Sequence, residues 1–206
     1  MKKIMVLFTA CMLLVPSLAK AEAKDESSNQ GEGFSIPEEI VEMNEALDEL
    51  VDQANQKLED GETNFVIEEE VNGEIIRFGF VAEETTPISS DSNTSNNFTT
   101  YATEQTKTFY AYVENTAGFN FKHVLGGTFK YSGGKIISAT TDVRLTGAFY
   151  SESAKTWVDE FDPSIWIAYS HGTFKALKYG LEYNTYLTVN MLGSGDYRIT
   201  RAEISF

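Results

Sequence analysis

Residues 65–80 read Phe65-Val66-Ile67-Glu68-Glu69-Glu70-Val71-Asn72-Gly73-Glu74-Ile75-Ile76-Arg77-Phe78-Gly79-Phe80. Runs of β-branched and aromatic residues flank Asn72-Gly73, the pair best suited to the positive-φ positions of a type I′ turn. The stretch therefore predicts an antiparallel hairpin, with three successive glutamates along its first strand.

The chain beyond residue 100 continues in the same texture. It holds 20 aromatic residues in 106 and shows no long helical period. Phe109, Ala111 and Val113 alternate with Thr108, Tyr110 and Tyr112, and Phe119, Phe121, His123 and Leu125 with Asn120, Lys122 and Val124. Ile137, Ala139, Thr141, Val143 and Leu145 share a second alternating run, and Leu181 to Met191 a third. A period of two places one set on each face of a strand. Gly126-Gly127, Ser132-Gly133-Gly134 and Gly193-Ser194-Gly195-Asp196 are read as turns, as is Tyr169-Ser170-His171-Gly172. Short strands at this spacing predict a mainly β protein, an antiparallel β-sandwich or small barrel over residues 101–206.

Upstream of the hairpin the period changes. Ile40, Met43, Leu47, Leu50, Ala54 and Leu58 recur at three- and four-residue steps, which predicts an amphipathic helix over 37–59. Ser35-Ile36-Pro37-Glu38-Glu39 supplies its start and Asp60-Gly61 its end. Glu42, Glu45, Glu49 and Asp52 lie on its opposite side. Residues 22–36 are polar and read as a disordered arm, and residues 84–100 as a polar linker or exposed loop. Asn93-Thr94-Ser95 and Asn97-Phe98-Thr99 match a glycosylation pattern that has meaning only in a eukaryotic host.

The first 21 residues predict a cleavable signal peptide. Lys2-Lys3 forms a basic start, an apolar run follows, and Ala19-Lys20-Ala21 gives a small-x-small cleavage pattern. Cys11, the only cysteine, sits within that run, so the mature chain is expected to be free of cysteine. No later stretch is apolar enough for a membrane helix. The expected location is outside the cytoplasm, secreted or associated with the cell envelope.

Removing residues 1–21 leaves 13 basic and 31 acidic residues, a net charge of −18. All of it falls in residues 22–100, which carry 21 acidic and 3 basic groups, whereas residues 101–206 carry 10 of each. Such a balance repels phosphate backbones and excludes nucleic acid as the expected partner. The partition suggests that the acidic part, helix plus hairpin over 37–83, could separate from the β domain. Against this, a two-stranded hairpin is too small to stand alone in water, which favours docking.

Catalytic machinery is sparse. The two histidines, His123 and His171, belong to no spaced zinc motif, and no Gly-x-Ser-x-Gly elbow occurs. Asp159, Glu160 and Asp162 form the densest acidic cluster of the β half. Oxygen ligands at this density suit calcium, and paired carboxylates suit glycoside hydrolysis. Trp157, Phe161, Trp166 and Tyr169 lie around that cluster and are candidates for stacking on sugars or anchoring a protein.

With its leader, acidic helix, Asn72-Gly73 hairpin and Gly133-Gly134-Lys135-Ile136-Ile137 turn-strand, the chain resembles small secreted β-rich proteins of unknown function from Gram-positive bacteria. The resemblance implies export and a sandwich-like fold and carries over no active site. The expected function is non-enzymatic binding of a protein or carbohydrate, without a cofactor. An extracellular hydrolase acting on envelope polymers and a secreted pore former are the alternatives.

Overall fold

Among the described residues the alternating runs form nine antiparallel strands, preceded by one helix. The computed structural model describes residues 38–85, 103–116, 120–147, 150–176 and 182–206. The leader with Cys11, the 22–36 arm and most of the 84–100 stretch lie outside them. All described residues belong to one compact unit, Ile36–Phe206.

Helix α1 (Glu38–Glu59) is followed by strands β1 (Asn64–Val71), β2 (Glu74–Thr85), β3 (Gln105–Asn115), β4 (Phe121–Ser132) and β5 (Lys135–Gly147). These strands form one sheet in chain order. Strands β6 (Tyr150–Asp162), β7 (Ile165–Ala176), β8 (Glu182–Leu192) and β9 (Tyr197–Ser205) form a second, four-stranded sheet, also in chain order. The two sheets pack as a sandwich and do not close into a barrel. The hairpin turn is as expected, with φ of 53° at Asn72 and 79° at Gly73.

The acidic segment is built into this core. Strand β2 pairs with β3 from Ile76 opposite Asn115 to Thr85 opposite Thr106, so the polar 84–100 stretch connects neighbouring strands of one sheet. On α1, Ile40, Met43, Leu47, Leu50 and Ala54 are each at most 1% exposed and join the same apolar cluster. Tyr197 from the second sheet inserts among Phe80, Phe109 and Phe129, with ring centroids 5.1, 5.5 and 5.6 Å away. These edge-on contacts are the favoured aromatic geometry. A second aromatic group, Phe121, Phe174 and Tyr183, fills the other part of the core.

Helix α1 also seals an edge. The amide of Asn44 donates to the carbonyl of Ile204 at 2.9 Å and accepts from its N–H at 2.8 Å. Asn55 does the same with Ile199, at 2.8 Å for both bonds. Each asparagine replaces a missing neighbouring strand for one residue of β9. The distances match, since eleven helical residues rise about 16 Å and five strand residues advance about 16 Å. Residues five apart on a regular strand face opposite edges. The register shift in β9 between Arg201, opposite Thr188, and Ile199, opposite Val189, restores the parity.

Three expectations are corrected. Gly126-Gly127 is not a turn and lies inside β4. A Cβ on Gly127 would come 2.4 Å from the Phe109 ring on β3, so the missing side chain is the space that ring fills. Tyr169-Ser170-His171-Gly172 is likewise within β7. Ile137 does not share the core face of its run. A bulge opposite Lys130 and Tyr131 leaves it 46% exposed and turns Ile136 inward at 6%.

Candidate binding face

The outer face of the β6–β9 sheet is a grid of side chains fixed by register. One row runs Trp157, Tyr169, Thr188, Arg201, and the next runs Lys155, His171, Tyr186, Glu203. Strand spacing makes each row about 14 Å wide, with about 7 Å between rows. Within the first row Trp157 and Tyr169 stack at 5.1 Å and 12°. Within the second, His171 and Tyr186 stack at 4.7 Å and 15°. The Arg201 guanidinium lies 4.0 Å above the Tyr186 ring and is held there by Glu203 at 2.6 Å. The Lys155 ammonium is 5.3 Å from the Trp157 ring. The result is a diagonal track of flat groups crossing all four strands.

Polar groups flank the track. The Asn184 carbonyl oxygen meets His171 Nε2 at 3.0 Å and accepts from Thr173 at 2.9 Å. Along its β9 side the face drops into a groove of about 490 Å³ lined by Asn44, Asp48, Thr200, Arg201, Ala202 and Glu203.

Of the four aromatic residues singled out in the sequence, Trp157 and Tyr169 meet on this face. Trp157 is 42% exposed. Phe161, 70% exposed, lies four residues further along in an irregular stretch where the β6–β7 register jumps from Asp159 to Asp162. Trp166 has the parity of buried Ala168 and packs against the core, away from the track. His171, Tyr186 and Arg201 join the track without a local motif to mark them. Their signal is the alternation of β7, β8 and β9, but the pairing register that joins them is not written in any one strand.

Asp159, Glu160 and Asp162, the candidates for calcium or for hydrolysis, lie at the end of β6. Among the described residues no group of three or more ligating side chains converges. All three are exposed, and successive strand residues point to opposite faces. Asp162 is committed to its own turn, accepting from the Ser164 N–H at 2.8 Å and its hydroxyl at 2.6 Å. Those two bonds hold its carboxyl below the usual range.

One nucleophile–base pair does exist. Ser170 Oγ lies 2.6 Å from His123 Nε2, and Thr185 Oγ1 lies 2.8 Å from Nδ1. It joins β4 of one sheet to β7 and β8 of the other. The three residues are 0–3% exposed, so no substrate reaches them in this conformation. Burial first, and the charge of His171 second, hold the imidazole down to about 3. It is a neutral polar bridge between the sheets, in keeping with the rule that buried polar groups are hydrogen-bonded.

Comparison with protein-family models, with curated proteins and with solved structures returns no match. Among the described residues no helix is long and apolar enough to cross a membrane.

Proposed function

We propose that this is a secreted, non-enzymatic binding protein that takes a carbohydrate chain on the outer face of its β6–β9 sheet. The observation that carries the reading is the outer-face track of stacked side chains from Trp157, 42% exposed, through Tyr169 and His171 to Tyr186 and Arg201. Sugar rings combine apolar C–H faces with hydroxyls that both donate and accept. Aromatic side chains interleaved with amides, hydroxyls and charged forks answer both needs. Stacked partners hold the rings in place, so little side-chain freedom is lost on binding. The serine–histidine pair is sealed and the acidic trio diverges, which supports binding over turnover. Export rests on the leader at residues 1–21.

The test is a glycan array followed by calorimetry with the best oligosaccharide. Tyr186→Ala and Arg201→Ala should each weaken binding about tenfold or more, the usual effect of truncating a contact of this kind. Both variants should keep the thermal midpoint close to that of the parent. An array without any bound glycan, or unaltered affinity in both variants, refutes the reading.

A further inference from the structure

We propose that the β6 strand pairs with β6 of a second copy of this chain about a two-fold axis at Trp157, merging the two four-stranded sheets into one of eight. The inference is independent of the ligand assigned to the face.

Strand β6 is an edge of its sheet, and among the described residues no ladder joins it to β5. Its start stays near β5, where the Gly147 N–H donates to Glu152 at 2.5 Å. Beyond that point Lys155, Trp157, Asp159 and Phe161 are all exposed. A free edge presents unpaired N–H and C=O groups and is a template for another strand.

The side chains identify the occupant. In an antiparallel pair, directly opposite residues lie on the same face, so a two-fold axis must pass through a residue. With the axis at Trp157, Lys155 of each copy stands opposite Asp159 of the other. Both charges lie on the outer face with Trp157, two residues to either side of it. Opposite charges directly across a ladder attract, and like charges repel. The two Trp157 rings meet at the axis, extending the existing Trp157–Tyr169 stack across the junction. The register shift after Asp159 ends regular pairing there, which leaves a ladder of residues 155–159.

Edge strands are commonly protected by charge, and that competing role makes a different prediction. An edge defended by charge repels its own copy. Here the signs are balanced about Trp157, so the charges select a copy of the same strand in one register.

The test is sedimentation of the chain from residue 22 onward, which contains the whole compact unit Ile36–Phe206. The parent should show a concentration-dependent monomer–dimer equilibrium that weakens with salt. Lys155→Glu alone and Asp159→Lys alone should each raise the dissociation midpoint at least about tenfold, because each replaces two attractions by two repulsions. Their combination in one chain should return it to within about threefold of the parent. Mixing the two single variants should also restore a dimer, since the introduced charges are then complementary. Both sites are exposed, so folding is retained and circular dichroism verifies it. A parent that stays monomeric to its solubility limit overturns the proposal. So does a dimer indifferent to the single variants, or one that neither the double variant nor the mixture restores.

Discussion

Acid should unfold this protein through His123. Its imidazole, 0% exposed, bridges the sheets and is held down to about 3, against an ordinary value near 6.5. The native state therefore stays deprotonated where the unfolded chain takes up a proton. Stability linked to this group is complete above the unfolded value and declines as the pH falls from about 6.5 towards 3. Each unit corresponds to about 1.4 kcal/mol, so lowering the pH from 6.5 to 4 should cost about 3 kcal/mol. Carboxylates titrate in the same range, so the measurement must be a difference. His123→Gln removes the titrating ring, and its amide can bond both the Ser170 and Thr185 hydroxyls. Urea unfolding of parent and variant at pH 7.5, 6, 5 and 4 gives the two curves. The parent should lose about 3 kcal/mol more than the variant across that range. Parallel curves would refute the assignment of a buried, neutral His123.

Four further outcomes follow from particular contacts. Asn55→Ala strips the Ile199 N–H and C=O of partners and should cost about 2 kcal/mol, lowering the thermal midpoint by about 4–8 °C in calorimetry. Asn44→Ala should act similarly at Ile204, and the two losses should add within about 0.5 kcal/mol because the sites are about 16 Å apart. Gly127→Ala, which drives a methyl group into the Phe109 ring, should destabilise by about 1–3 kcal/mol in urea titration, whereas Gly61→Ala, with open space around its Cβ, should cost only its positive-φ strain. In an NMR titration Asp162 should ionise below ordinary aspartates, and Ser164→Ala should move its midpoint upward.

Local signals in the chain were legible where the pattern has one physical meaning. The stripe Ile40 to Leu58 could only bury one face of a helix, and Asn72-Gly73 could only turn one way. The glycines were harder. Gly126-Gly127 has turn composition, yet the Phe109 ring on the neighbouring strand uses the gap at Gly127, 18 residues away in sequence. Ile137 failed for the same reason, since a bulge is a property of a strand pair. The proposed binding face was half visible. Trp157 and Tyr169 are near in sequence and pair across one hairpin, whereas Tyr186 and Arg201 reach the track only through the registers of β8 and β9. Nor does the sequence announce that Asn44 and Asn55 cap a strand. Eleven residues bring them to one helix face, but the partner groups are backbone, which carries no sequence signature.

Mapping amide chemical shifts during titration with the array's best oligosaccharide locates the proposed binding face on the four-stranded sheet. Perturbations should concentrate at residues 155–159, 169–173, 184–188 and 201–203, with the α1 acidic side and the outer face of the five-stranded sheet unchanged. Saturable shifts centred on either of those surfaces, with the β6–β9 face silent, would contradict it.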